Sequence, residues 1–207
     1  MPTRFSCGFD LRVSANSHEK DAAQWNQFLL TTSKRSLISA DTLVWPEPEG
    51  VNSLIQDNAQ VFWNPLGLAS DLEQLISSCR MRGFPIANCV PVCLTISESV
   101  LIAMNGRFGP SYFHDLPQEE FLLGQGWRFL GFDLVALMGL HSGLNGIGYK
   151  EPYWSQLRAQ FGAALNEVGL FSDEATAAEF AKVRGVEIPS HAPFDVVGIL
   201  VHDPISQ

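Results

Sequence analysis

The sequence predicts an α+β fold, a single domain with a mixed or largely antiparallel sheet and helices packed on it. Stretches with the two-residue period of strands and stretches with the 3.6-residue period of helices follow one another without regular βαβ alternation. Hydrophobic residues make up 46% and charged residues 17% of the chain, a globular composition that argues against long disordered stretches. A length of 207 residues suits one core of good size, so residues 1–207 are read as one globular domain.

The first element is a strand. RFSCGFDLRVSA places Phe5, Cys7, Phe9, Leu11 and Val13 on alternate positions, as a half-buried strand requires. A helix is expected next, with Ala22, Trp25, Phe28 and Leu29 on one face. Residues 36–68 read as irregular, with short strand candidates LISADTLVW and VFW broken by Pro46, Pro48 and Pro65. At Ser70 the motif S-D-L-E reads as a capping box opening a helix. Its stripe runs through Leu68, Leu72, Leu75, Ile76 and Cys79, and Gly83 and Pro85 close it.

NCVPVCLTI and VLIAMNGRF, separated by Ser97, Glu98 and Ser99, predict a hairpin. Asp115, Pro117 and Gln118 announce a short helix through Phe121 and Leu122, ended by Gly124 or Gly126. WRFLGFDLV is a near-continuous apolar run and reads as a central strand. Beyond the glycine-rich stretch 139–149, Pro152 starts a helix whose stripe of Trp154, Leu157, Phe161, Leu165 and Val168 runs to Gly169. Ser172 caps one more helix, stopped by Gly185, and FDVVGILVHD closes the fold as a strand. No internal repeat and no low-complexity segment is read along the chain.

Thirteen basic against twenty-two acidic residues give a formal charge of −9. Such a charge repels nucleic-acid backbones and anionic membranes unless a basic patch overrides it, and no such patch is found in the sequence. Neither nucleic acid nor membrane is therefore expected as a partner, whereas a basic protein partner would be favoured by complementary charge. Cys7, Cys79, Cys89 and Cys93 form neither C-x-x-C nor a secreted framework, and read as buried, reduced thiols. With no apolar leader segment and no run long enough to span a membrane, a soluble cytoplasmic protein is expected.

GLHSGLNGIGY, residues 139–149, invites a functional reading, but each known motif fails on its spacing. A phosphate loop needs G-K-[ST] and a dinucleotide loop a third glycine, neither of which follows. A nucleophile elbow, G-x-S-x-G, would centre on Ser142, yet Leu140 stands where it needs glycine and Gly143 comes one place early. The stretch is read mainly as a structural turn. The pairs His114–Asp115 and His202–Asp203, with His18, His141 and His191, lack the helical spacing of metal ligands, and Asp115 is better explained as a helix cap. Arg128 and Asp133, five apart on one strand, face opposite sides, so each would need its own partner if buried. No catalytic residue, metal or cofactor is assigned.

Loop-like segments 45–50 and 106–115 carry aromatic residues beside acidic groups, the composition that protein interfaces use for anchors. The interface candidates are Trp45, Phe108, Tyr112 and Phe113, flanked by Glu47, Glu49 and Asp115. Packing of these loops onto their own core is the alternative.

Residues 127–149 resemble a segment of immunity proteins from bacterial polymorphic-toxin and contact-dependent systems. The matching residues are Phe129, Leu130, Gly131 and Asp133, followed by Ser142, Gly143, Leu144, Gly148 and Tyr149. The resemblance covers about a tenth of the chain and transfers no catalytic residue. It implies a small acidic cytoplasmic protein that neutralises a cognate toxin by protein–protein contact. The alternatives are a small hydrolase using His141 and Ser142 or a His–Asp metal site, and a structural subunit of a larger assembly.

Overall fold

The computed structural model describes residues 3–14, 43–44, 64–81, 86–87, 89–113, 115–136, 141–144, 153–190 and 192–205. The elements are β1 (Arg4–Ser14), β2 (Leu43–Val44), α1 (Leu72–Met81), β3 (Val90–Ser97), α2 (Glu98–Phe108), α3 (Glu119–Gly124), β4 (Arg128–Ala136), β5 (His141–Ser142), α4 (Tyr153–Phe161), α5 (Glu174–Glu187) and β6 (Asp195–Val201). The fold is α+β, as the sequence predicts. Two compact units are distinguished: Met1–Val13 with Val44–Phe129 and Ile199–Gln207, and Ser14–Leu43 with Leu130–Gly198.

In the first unit β1 pairs antiparallel with β3, from Arg4↔Ser97 to Arg12↔Val90, with a bulge between Ser6 and Gly8. Cys7, Phe9 and Leu11 are buried, but so are Arg4, Ser6 and Asp10, so the strand expected to be half-buried is buried on both faces. Leu11, Leu75, Ile76, Cys79, Ile86 and Cys89 form one apolar cluster. Phe9, Cys93, Leu122, Trp127 and Leu200 form another, in which the Phe9 and Trp127 rings lie 5.6 Å apart. In the second unit β4 has β6 on one side and β5 on the other, pairing antiparallel with β5 through Val135↔Ser142 and Ala136↔His141. Its core includes the rings of Phe161, Phe171 and Phe180, the closest pair 5.0 Å apart.

Each unit contains the same local device, which overturns the expectation that no repeat is present. GFDL occurs at 8–11 on β1 and at 131–134 on β4, and N-x-x-G-L-x-S-D at 64–71 and 166–173. Asn64 Nδ2 donates to the Cys7 carbonyl at 2.5 Å, and its Oδ1 accepts from the amides of Leu66 and Leu68. Asn166 Nδ2 donates to the Leu130 carbonyl at 2.7 Å, and its Oδ1 accepts from Val168 and Leu170. Phe9 and Ala69 exchange both backbone hydrogen bonds, and so do Phe132 and Phe171. Gly8 and Gly131 lie beneath the clamps with φ of 129° and 145°. A Cβ on either would come within 2.6 Å and 2.7 Å, respectively, of a leucine Cβ. Only glycine combines that backbone angle with so close an approach. The repeat escapes a fixed-period reading because its two pieces are separated by residues 12–63 in one copy and by 135–165 in the other.

Several expected elements differ. The second half of the expected hairpin is helix α2, with Ser97 at its N-cap position. An uninterrupted apolar run does not distinguish helix from strand by period, and here Ile102 is left 65% exposed. The helix after 152 ends at Phe161, followed by a 3-10 turn over 162–164, because Asn166 draws the amides of Val168 and Leu170 into the clamp. Gly169 thus serves the turn, at φ 80°, and does not cap a helix. Helix α5 runs through Gly185 to Glu187. Both serine caps are displaced by one residue: Asp71 accepts from the amide of Gln74, and Asp173 from that of Thr176. The expected helix around residues 22–29 lies outside the described residues.

Candidate functional site

Two of the interface candidates meet in one cleft of the first unit. Its volume is about 570 Å³, and Ser70, Asp71, Gln74, Ser111, Tyr112, Asp115 and Leu116 line it. One wall is the start of α1, where the Asp71 carboxylate caps the helix at 2.9 Å from the Gln74 amide. The other is the turn that follows α2. Gly109, with φ 97°, ends that helix, and Pro110 opens the short 3-10 turn to Tyr112.

This turn is held at both ends. Phe113 is buried, and its ring lies 6.5 Å from that of Phe108. Downstream, the Ser6 amide donates to the Pro117 carbonyl at 2.9 Å. Arg4, almost wholly buried, approaches Glu119 at 3.4 Å and donates to the Thr95 carbonyl at 2.7 Å. The Thr95 hydroxyl in turn donates to Glu119. Between these anchors Asp115 is exposed and takes a left-handed φ of 56°, a conformation that a short polar side chain tolerates best after glycine. It lies in the turn ahead of α3, whose N-cap position is Gln118, so the helix-cap assignment of Asp115 is corrected.

The candidates therefore separate. Tyr112 and Asp115 reach the cleft. Phe113 does not serve as a surface anchor, because its side chain is only 3% exposed. Phe108 is half-buried with the Arg107 guanidinium 5.4 Å from its ring centre. Trp45, Glu47 and Glu49 lie outside the described residues. Ser70, Asp71 and Gln74 were legible only as a helix start. Among the described residues the charged side chains lining the cleft are Asp71 and Asp115, an arrangement that favours a cation.

The glycine-rich stretch has a structural role where it is described. Ser142 Oγ donates to Asp133 Oδ1 at 2.8 Å and accepts from the Leu144 amide at 3.1 Å. The same Asp133 oxygen accepts from the Leu134 amide at 2.7 Å, which accounts for an acidic residue with no exposed surface. Buried Arg184 donates through Nε to the Gly143 carbonyl at 3.1 Å and pairs with Glu187. Arg128 takes the other course, exposed at the strand start with Asp203 at 4.0 Å.

Burial pushes the Cys7 thiol up to about 12 and those of Cys79 and Cys89 to about 11, while Cys93 is raised still further. Thiols so far from ionisation are poor nucleophiles. Among the described residues, no group of three or more His, Cys, Asp or Glu side chains is placed to hold a metal ion. No described helix is long and apolar enough to cross a membrane. No family model, curated protein or solved structure matches the chain.

Proposed function

We propose that this chain is a binding protein that neutralises a bacterial toxin in the cytoplasm, taking a lysine or arginine side chain of a basic partner into the cleft at Tyr112 and Asp115. The observation that carries the reading is the lining of that cleft, which among the described residues contains two carboxylates and one aromatic ring but no cationic side chain. A cation entering it donates a charge-assisted hydrogen bond to a carboxylate and gains the quadrupole attraction of the tyrosine face. The net charge of −9 would draw a basic partner toward the surface over longer range. The resemblance of residues 127–149 to immunity proteins supports the same class. Its motif residues Gly131, Asp133, Ser142 and Gly143 make close packing and hydrogen-bond contacts within the second unit.

The test is capture of the tagged protein from its source cells at low and moderate salt, followed by native mass determination. The reading predicts a stoichiometric complex with a basic protein, lost when Tyr112→Ala and Asp115→Asn are combined. A chain recovered free at both salt concentrations, or a complex indifferent to the double substitution, would remove it.

A further inference from the structure

We infer that the chain is built from two copies of one module, and that the recognition face belongs to the segment joining them, residues 98–124, not to the module itself. The second half of this inference rests on the binding reading above. Each copy consists of a strand carrying GFDL, an asparagine clamp, a helix capped by aspartate and a closing strand: β1, 64–71, α1 and β3 in one, β4, 166–173, α5 and β6 in the other. The correspondence extends beyond sequence. The three asparagine hydrogen bonds, the reciprocal strand-to-loop pair and the positive-φ glycines all recur with the same partners in the same order.

Two copies of one scaffold in one chain provide an internal comparison. Whatever both copies share is accounted for by the scaffold, and what only one carries needs a separate account. Ser70 and Asp71 line the cleft, but they match Ser172 and Asp173, and both aspartates accept from the amide three residues on, at 2.9 and 2.7 Å. Capping explains Asp71 without any ligand. Ser111, Tyr112, Asp115 and Leu116 belong to the joining segment, and the anchors at Phe113, Pro117 and Glu119 hold that segment in place. The scaffold thus supplies one wall of the cleft, and the joining segment supplies the groups that choose the occupant, a cationic side chain of the partner.

The experiment places the photo-crosslinking residue p-benzoylphenylalanine at position 111 of the full chain in its source cells. Adduct yield and urea midpoint are then measured for added substitutions. Asp71→Ala and Asp173→Ala should lower the midpoint by similar amounts. Asp71→Ser, which keeps a capping oxygen but removes the charge, should restore most of the loss and lower the adduct far less than Asp115→Asn does. Asp115→Asn, which suits the left-handed backbone, should lower the midpoint less than Asp71→Ala does and cut the adduct at least tenfold. If Asp71→Ser cuts the adduct as deeply as Asp115→Asn, the division of roles is overturned while the binding reading stands. Clearly unequal midpoint shifts for the two alanine variants would overturn the equivalence of the copies. Absence of any adduct in the parent would overturn the binding reading itself.

Discussion

Asn166 Nδ2 donates to the carbonyl of Leu130 at 2.7 Å, while Oδ1 of the same side chain accepts from the amides of Val168 and Leu170. One amide group thereby ties a strand to the turn that precedes a helix. Removing it leaves a part-buried carbonyl and two amides without their partner, each loss costing about 1 kcal/mol. Asn166→Ala is expected to destabilise the protein by about 3 kcal/mol, as is Asn64→Ala. Urea denaturation of the two variants checks this, and a loss below about 1 kcal/mol for either would show that water or a rearranged turn replaces the clamp.

The glycine under each clamp should be as intolerant. At Gly131 a Cβ would stand 2.7 Å from Leu170 Cβ and 2.9 Å from the Phe171 carbonyl, at φ 145°. Overpacking and backbone strain together amount to about 3 kcal/mol or more. Gly131→Ala and Gly8→Ala should therefore lower thermal midpoints by several degrees at least, whereas Gly67→Ala, with nothing within 4 Å of its Cβ, should incur only the cost of its positive φ. Equal midpoints for Gly131→Ala and Gly67→Ala would contradict the close-approach argument.

Ser142 is expected to matter through Asp133 and not through chemistry of its own. Ser142→Ala removes a donor from a carboxylate with no exposed surface, a loss of about 1 to 3 kcal/mol. The paired substitution Asp133→Asn with Ser142→Ala should lose less than the sum of the two singles, since each removes the same interaction. Additive losses in a double-mutant cycle would mean that the two residues are not coupled.

The thiols give a dependence on pH. The thiols of Cys7, Cys79 and Cys89 are raised from an ordinary 9.0 to about 12, 11 and 11. Below pH 9 the thiol is neutral whether the chain is folded or unfolded, and its contribution to stability is fully present. Above pH 9 the unfolded chain ionises first and binds fewer protons, so stability falls as pH rises toward 11 and 12. The urea midpoint should drop through this window, and replacing Cys79 and Cys89 by alanine should flatten the drop. At pH 8 a thiol-specific reagent should label the native protein slowly and all four cysteines once urea unfolds it. Rapid labelling of the native protein would contradict the burial.

Much of the scaffold was legible because its signals are local. The alternation of Phe5, Cys7, Phe9 and Leu11 gives β1, and the stripe Leu72, Leu75, Ile76 and Cys79 gives α1. One misreading arose where a short-range pattern was settled by a longer-range partner. Leu165 and Val168 fit a helical stripe, but Asn166 captures the turn through a strand that lies far away in sequence. VLIAM satisfied both periods, and the chain resolves it as helix. At the site, composition singled out Tyr112 and Asp115, but aromaticity alone does not separate Tyr112, in the cleft, from Phe113, in the core. The α1 wall was out of reach, because pairing Ser70 with Tyr112 depends on tertiary contact. The repeat was the one large feature present in the letters themselves, as GFDL twice and N-x-x-G-L-x-S-D twice.

The claim that a basic partner enters the cleft is tested most directly by hydrogen–deuterium exchange on the captured complex against the free chain. The account predicts slowed exchange at residues 70–74 and 111–116, with the exposed C-terminal turn of α5 around Val186 unchanged. Slowed exchange confined to other segments, with 111–116 the same in both states, would contradict it.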